Sequence, residues 1–340
     1  MDFVLDLASF LVRTLVVVIA IGTVLLFLVQ AISSGRRRAR SGIEVEKMND
    51  RFKSFRRQMQ SRLLGKKEFK TLSKTDKKTK KLEIAAPRST RAFVLDFDGD
   101  IRASATEDLR EEITAILSIA KSGDEVILRL ESGGGLVTSY GLASSQLMRL
   151  KNAGVKLTIC VDKVAASGGY MMACVADQII AAPFAVVGSI GVIAQVPNFN
   201  KVLKKHDVDY REVTAGEFKR TVTMFGEITE PGLQKFRAQL EETHVLFKQF
   251  INMNRPRLDI EKVATGEHWY GTQALALGLI DQIKTSDVYV VNLFEGHDVY
   301  RVQHHGKKKL ADRFSESFAN VLHNVAIKLW SDLDRTKFGT

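Results

Sequence analysis

The sequence is poor in the residues that build disulfide frameworks and zinc sites. Its 340 residues include only two cysteines, Cys160 and Cys174, and seven histidines. Both cysteines lie in apolar runs without the spacing of metal ligands, and the histidines do not cluster with them. We therefore expect buried free thiols, no disulfide framework and no zinc site.

Charged residues are absent from residues 14–34, a run of 21 residues dominated by Val, Leu, Ile and Phe. A helix of this length crosses about 30 Å of hydrocarbon. A cleaved signal peptide has a basic front and a shorter apolar core, whereas this front carries Asp2 and Asp6 with only Arg13. We predict an N-terminal transmembrane anchor over residues 1–35. The lipid bilayer is then one partner, and the protein is a single-pass protein of the cell inner membrane.

The positive charge of the chain is concentrated directly after this run. Residues 36–91 hold 20 Lys or Arg against 6 Asp or Glu, a net charge of +14; since the whole chain carries +11, the remaining residues sum to −3. Anionic lipid headgroups or water explain such a run beside a span better than nucleic acid does. We predict a basic, partly helical linker over residues 36–90, with an amphipathic helix within residues 41–70, and no nucleic-acid partner.

Strands and helices alternate from residue 91 onward. The pattern predicts strands over residues 92–97, 125–130 and 156–161, with helices from Thr106 and over residues 138–151. This alternation is typical of the α/β class, with a parallel sheet and flanking helices. The folded domain is assigned to residues 91–300. It includes a later strand over residues 209–213 and a long helix over residues 229–254, and it is followed by a C-terminal amphipathic helix within residues 301–340.

Ser167 lies where a strand meets a small-residue helix, in the stretch Val161-Asp-Lys-Val-Ala-Ala-Ser-Gly-Gly-Tyr170. Unpaired N–H groups and the helix dipole favour negative charge at a helix N-terminus, so the N–H groups there could hold an oxyanion on an attacked carbonyl. An ordinary N-cap followed by flexible glycines is the alternative interpretation.

A glycine loop, residues 133–135, follows the second of these strands. Three glycines let the backbone approach a ligand closely, and loops at the carboxyl ends of parallel strands are where sites form. Phosphate binding needs a fuller pattern, such as a Lys-Ser or Lys-Thr pair after the loop, and none is present. A tight strand-to-helix turn is the alternative.

A serine nucleophile needs a base, and the histidines offer no evident partner near these loops. A lysine can serve where burial lowers its pKa from about 10.4 toward neutrality. Lys219, in the stretch Thr214-Ala-Gly-Glu-Phe-Lys-Arg-Thr221, is the candidate, with an ordinary surface lysine as the alternative. Arg220 beside it is no candidate because a guanidinium keeps its proton.

Four ordered stretches together resemble the signal peptide peptidase A family of serine peptidases, most closely its membrane-anchored members. The resemblance covers roughly residues 91–291. Its most specific parts are Val161-Asp-Lys-Val-Ala-Ala-Ser-Gly-Gly-Tyr-Met-Met-Ala173, Val187-Gly-Ser-Ile-Gly-Val192, Gly216-Glu-Phe-Lys219 and Gly271-Thr-Gln-Ala-Leu-Ala-Leu-Gly-Leu-Ile-Asp281.

The resemblance implies the fold shared by the Clp protease proteolytic subunit and the crotonases, and a Ser-Lys dyad with Ser167 as nucleophile and Lys219 as general base. It implies an oxyanion hole formed by the N–H groups of Gly168 and of the glycine loop, with Gly134 preferred and Gly135 as the alternative. Family members often have Pro where this chain has Gly133. Peptides, among them released signal peptides or membrane-protein remnants, are the implied substrates, and a homo-oligomer is the implied assembly. The implied mechanism needs no metal ion or organic cofactor.

Two other functions remain open on the sequence: a crotonase-like acyl-CoA enzyme, and an inactive membrane scaffold with a peptidase fold. The side of the membrane is also open. The run Gly35-Arg-Arg-Arg-Ala-Arg40 favours a cytoplasmic catalytic domain, because cationic residues beside a span tend to stay in the cytoplasm. The family analogy favours the periplasm.

Overall fold

The computed structural model describes residues 42–85 and 90–305, and residues Ile43–His304 form one compact unit. The anchor predicted over residues 1–35, and the part of the predicted C-terminal helical region (residues 301–340) that follows residue 305, lie outside the described residues. No helix within the described ranges combines the length and apolar character needed to cross a bilayer.

The strands join into one ten-stranded sheet with the order β1-β10-β2-β3-β4-β6-β9. Strand β5 branches from β3 and pairs with β7, which pairs in turn with β8. The pairings along the path from β10 to β9 are parallel, and β7 with β8 is antiparallel. The strands are β1 Gly42–Lys47, β2 Arg91–Gly99, β3 Glu125–Ser132, β4 Lys156–Val161, β5 Val164–Ala166, β6 Gln178–Ala181, β7 Val186–Gly188, β8 His268–Tyr270, β9 Gln282–Ile283 and β10 Asp298–His305.

The helices alternate with these strands in the part of the chain that builds the sheet. They are α1 Met48–Leu63, α2 Lys66–Ala85, α3 Thr106–Leu117, α4 Val137–Asn152, α5 Gly168–Ala173, α6 Asn200–Lys205, α7 Glu230–Asn254, α8 Ile260–Val263, α9 Gly271–Ala276 and α10 Ser286–Leu293. The predicted α/β class, a mostly parallel sheet with flanking helices, is confirmed.

Both faces of the sheet are buried, which explains the nearly continuous apolar character of its central strands. On one face Leu95, Leu128 and Ile159 join a large core. On the other face a smaller cluster packs beneath α10, and it contains Ala92, Val94, Ile127, Cys160, Ile180, Val290 and Val299. Because both faces of the sheet are covered, ligands are expected in the loops at the carboxyl ends of the strands.

The region predicted as a linker differs from the expected amphipathic helix over residues 41–70. Residues Gly42–Lys47 form an edge strand of the sheet, and α1 begins only at Met48. Buried Asn49 fixes this junction, since its Nδ2 donates to His297 O at 3.0 Å and its Oδ1 accepts from Val299 N at 2.7 Å. An available sheet edge thus overrides the helical spacing of the apolar residues.

Two further features of the structure differ from the prediction. The strand expected over residues 209–213 is wrong, because that stretch is exposed and pairs with no strand among the described residues. Strand β10 continues to His305, beyond the end assigned to the domain at residue 300. Its register with β2, in which Arg301 pairs with Val94, holds this last strand inside the sheet.

Candidate active site

Ser167 lies in a sharp turn between β5 and α5 with φ 52° and ψ −118°. A positive φ is uncommon for a residue with a side chain, and an unfavourable backbone conformation costs on the order of 1–3 kcal/mol. The surroundings hold it: Ser167 N donates to Gly188 O at 2.8 Å, and Ser167 O accepts from Met171 N at 3.0 Å. A strained strand-to-helix turn of this kind presents a hydroxyl at the edge of the sheet.

The glycine loop lies directly against this turn. Strands β3 and β5 pair Ser132 with Ala165, which brings the end of β3 beside Ser167. Gly134 has φ +88°, and a methyl group on it would lie 2.7 Å from Gly168 N and 2.8 Å from Ser167 Cβ. The structure therefore brings together three of the four site residues inferred from the sequence.

Some of the backbone N–H groups around Ser167 already donate a hydrogen bond within the protein, and others do not. Gly168 opens α5, and its N–H has no hydrogen-bond partner in the described parts of the chain. The Gly134 N–H donates to Ser132 Oγ at 3.0 Å, whereas that of Gly135 has no partner among the same residues. Of the two loop glycines inferred from the sequence as donors, Gly134 therefore has its N–H already used, and Gly135 does not.

Lys219 has a different environment from Ser167 and the glycine loop. It is exposed, within a stretch after α6 that has no helix or strand until α7. Its backbone N–H donates to Gly216 O at 3.1 Å, while its Nζ makes no hydrogen bond or ion pair with a described residue. Ser167 Oγ likewise has no hydrogen-bond partner there. The contact between Ser167 and Lys219 that a dyad requires is therefore not formed within the described part of this single chain.

The stretch that carries Lys219 is fixed by side-chain amides. Asn198 Nδ2 donates to Thr223 O and to Gly226 O, both at 2.9 Å. Asn200 Nδ2 donates to Phe225 O at 2.8 Å. These hydrogen bonds hold the backbone of the stretch in one path although it forms no strand or helix.

The two cysteines are poor alternatives to Ser167 as nucleophile. Cys160 and Cys174 are both buried. Burial raises the pKa of each thiol to about 12, so the reactive thiolate is scarce near neutral pH. The predicted buried free thiols are confirmed.

Ser132 and Tyr140 are buried polar residues beside the site that the sequence reasoning missed. Their hydroxyls lie 2.5 Å apart beneath the glycine loop. The available signal was weak: a serine immediately before three glycines, and a tyrosine one helical turn into the next helix.

The fold and the turn at Ser167 define an α/β protein that presents a hydroxyl beside a glycine loop at the ends of the strands. Comparison with known sequences identifies the family to which this protein belongs. Residues 2–147 match the family model described as peptidase family S49 N-terminal, and residues 149–300 match that of peptidase family S49. The chain belongs to peptidase family S49, and these matches support a peptidase.

The relatives narrow the class further. The "Probable protease SohB" of Haemophilus influenzae is 52% identical over 303 residues, covering 84% of this chain and 86% of the relative. The "Probable protease SohB" of Buchnera aphidicola subsp. Schlechtendalia chinensis is 45% identical over 305 residues, covering 86% of this chain and 100% of the relative. This chain is therefore a SohB-type member of the family, in agreement with the resemblance drawn from its motifs.

Among solved structures, one match is a mutant of the 1510-N membrane-bound stomatin-specific protease. It has a TM-score of 0.39 and 13% identity, and the match covers 60% of this chain and 84% of that chain.

Proposed function

We propose that this protein is a membrane-anchored serine endopeptidase that cleaves peptides through an acyl-enzyme, with Ser167 as nucleophile and Lys219 as general base. The observation that carries the proposal is the backbone of Ser167, held at positive φ in a turn that packs against the glycine loop. Unfavourable backbone conformations cluster at active sites, where the rest of the fold holds them.

The mechanism begins with attack of Ser167 Oγ on the carbonyl carbon of the scissile peptide. Neutral Lys219 Nζ takes the Oγ proton as the C–O bond forms, and the negative charge that develops on the carbonyl oxygen is held by the N–H groups of Gly168 and Gly135. As the C–N bond breaks, Nζ gives the proton to the leaving amine. Water then attacks the ester, Nζ takes a proton from it, and Ser167 leaves as the hydroxyl once that proton is returned.

The exposure of Lys219 bears directly on this mechanism. A lysine amine stays protonated in water and loses its proton near neutral pH only in a dry site. The stretch around Lys219 exposes apolar side chains, among them Val213 at 96% and Phe218 at 44%. We propose that copies of this chain assemble so that a neighbouring copy covers this stretch and brings a lysine amine and a Ser167 hydroxyl together.

The lipid bilayer is proposed as the second partner, through the uncharged run at residues 14–34. The protein is then a single-pass protein of the inner membrane. The arginines after the run favour a cytoplasmic catalytic domain, and the family analogy favours the periplasm. Peptides left by membrane-protein processing, including signal peptides, are the substrate class proposed. Protease accessibility in spheroplasts distinguishes the two sides.

The central test is peptide hydrolysis and fluorophosphonate labelling of the full-length wild-type chain beside Ser167→Ala and Lys219→Ala. The proposal expects labelling at Ser167 in the wild type and a loss of hydrolysis by at least about a thousandfold in both variants. Equal hydrolysis by all three proteins would contradict the proposed peptidase and favour the inactive membrane scaffold. Acyl-CoA binding without labelling of Ser167 would favour the crotonase-like enzyme instead.

A further inference from the structure

A directed chain of hydrogen bonds runs beneath the glycine loop. Tyr140 Oη donates to Asp100 O at 2.7 Å, which uses its single proton. The 2.5 Å contact between Ser132 Oγ and Tyr140 Oη is therefore donated by Ser132. Ser132 Oγ in turn accepts from Gly134 N at 3.0 Å. The orientation of the Gly134 amide is thus linked through two hydroxyls to the turn after β2.

These hydroxyls are fully enclosed. Ser132 is 2% exposed and Tyr140 is 0% exposed. A methyl group on Gly99 would lie 2.6 Å from both hydroxyl oxygens, one on Gly169 would lie 2.5 Å from Ser132 O, and one on Gly168 would overlap the Tyr140 ring. Close packing on every side leaves the two hydroxyls one arrangement, and burial raises the pKa of Tyr140, so the tyrosine remains a donor.

The loop is tied to the same turn at its other end. Leu136 N donates to Ile101 O at 2.9 Å, and a methyl group on Gly135 would overlap Ile101 O. Gly135 therefore lies between two fixed points: the Gly134 amide held by Ser132, and the Leu136 amide held by the turn after β2. Its own N–H has no hydrogen-bond partner among the described residues.

We propose that Ser132 and Tyr140 are positioning residues that fix the glycine loop so that Gly135 N–H faces the reacting carbonyl at Ser167. This inference rests on the proposed peptidase function, because the positioned group acts only if Ser167 is acylated. Neither side chain touches substrate. Their contribution is the fixed geometry of the loop, and a misplacement of about 1 Å at such a site costs on the order of a hundredfold in rate.

The test uses the full-length chain with Ser132→Ala and Tyr140→Phe. Ser144→Ala and Tyr170→Phe are matched controls, since Ser144 Oγ donates to Tyr140 O at 2.9 Å and Tyr170 Oη donates to Leu279 O at 2.9 Å. All four changes delete one buried hydroxyl that bonds within the protein, and only the first two belong to the chain of bonds under the loop.

Two readouts separate the loop from the chemistry. Amide hydrogen exchange over residues 131–137 needs no activity, and it should accelerate about tenfold in Ser132→Ala and Tyr140→Phe but not in the controls. The rate of fluorophosphonate labelling at Ser167, and kcat for a peptide, should fall by about ten- to a hundredfold in the same two variants, while KM stays within about twofold.

The outcomes are distinguishable. Unchanged exchange in Ser132→Ala and Tyr140→Phe overturns the proposal, and so does faster exchange with wild-type labelling and kcat. Equal effects in the matched controls also overturn it, since the hydroxyls would then matter only for general stability. If the wild-type chain neither labels nor hydrolyses peptide, the proposed function fails, and with it the positioning role, whereas faster loop exchange would still show that the bonds hold the loop.

Discussion

The two members of the proposed dyad lie in opposite environments. Ser167 lies in a turn whose backbone groups bond to β7 and α5, next to glycines that admit no added methyl. Lys219 is exposed in a stretch without strand or helix, and side-chain amides are what fix that stretch. One chain therefore holds the proposed nucleophile and the proposed oxyanion donors in place, whereas the proposed base stays exposed.

This difference separates two kinds of effect. Changes near Ser167 disturb close packing, so they should affect stability and activity together. Changes near Lys219 alter exposed groups, so they should affect activity with little change in the free energy of unfolding. Each prediction below tests one side of this contrast.

Lys219→Ala should give the largest effect. We expect kcat/KM for a peptide to fall by about a thousandfold or more, because in the proposed mechanism Lys219 takes the Ser167 proton. The free energy of unfolding should change by less than about 0.5 kcal/mol, since the side chain is exposed and makes no hydrogen bond with a described residue. Peptide hydrolysis and urea unfolding measure the two quantities.

Lys201→Ala is the control for that variant, because Lys201 is also an exposed lysine, on nearby α6. It should leave both quantities at wild-type values. Loss of activity in Lys201→Ala equal to that in Lys219→Ala would show that the general charge of the region matters and not one amine.

Gly134→Ala should lower kcat by at least about a hundredfold. The residue has φ +88°, and the added methyl would lie 2.7 Å from Gly168 N and 2.8 Å from Ser167 Cβ, so the loop must move away from Ser167. The unfolding free energy should also drop, by about 1–3 kcal/mol.

Gly141→Ala is the matched control, since Gly141 lies inside α4 with open space around its Cα. That change should stabilise the chain by about 0.5–1 kcal/mol and leave kcat unchanged. Wild-type activity in Gly134→Ala would mean that the loop does not serve Ser167.

The sequence predicts the rigid side of this contrast better than the exposed side. Strand β4 falls at the predicted residues 156–161, and α7 begins after the predicted cap Thr229, whose side chain accepts from Gly232 N. Buried strands and capped helices record their environment in local patterns. The strand predicted over residues 209–213 failed because a strand also needs a partner, and a local pattern carries no information about one.

The same limit applies to the site. The sequence predicts that Ser167 and the glycine loop both follow strands of a parallel sheet. Their juxtaposition rests on the pairing of β3 with β5, a short strand that the sequence reasoning missed, since it took residues 156–161 as the strand before Ser167. The bonds from Ser132 through Tyr140 to Asp100 span 40 residues and depend on how α4 packs on the sheet. No spacing rule indicates them, so they emerge only from the folded structure.

Glu112 is a buried residue away from Ser167 that should make the stability of the fold depend on pH. The side chain is 5% exposed, its Oε1 accepts from His304 N at 2.8 Å, and its Oε2 has no hydrogen-bond partner among the described residues. Burial, together with the charges of Asp108 and Asp96, raises its pKa to about 7 from an ordinary value of 4.5, against the opposing effect of His304.

The folded chain therefore keeps the Glu112 proton at pH values where the unfolded chain has lost it. Stability from this group is complete below about pH 4.5 and is lost as the pH rises to about 7, a total of about 3 kcal/mol. Glu112→Gln should remove this dependence and exceed the wild type by about 3 kcal/mol at pH 8, with no gain at pH 4.5. Urea unfolding at the two pH values measures it, and an equal difference at both would contradict the assignment.

Asn198→Ala should give the smallest effect, and it tests the exposed side alone. Loss of the Nδ2 bonds to Thr223 O and Gly226 O should let the stretch that carries Lys219 shift, lowering kcat by about three- to tenfold. The free energy of unfolding should change by less than about 1 kcal/mol, since exposed hydrogen bonds contribute little. Asn254→Ala is the control, because Asn254 Nδ2 also donates to a backbone carbonyl, Phe250 O at 3.0 Å, but within α7. Equal loss of kcat in both variants would mean that the path of the exposed stretch does not set the position of the base.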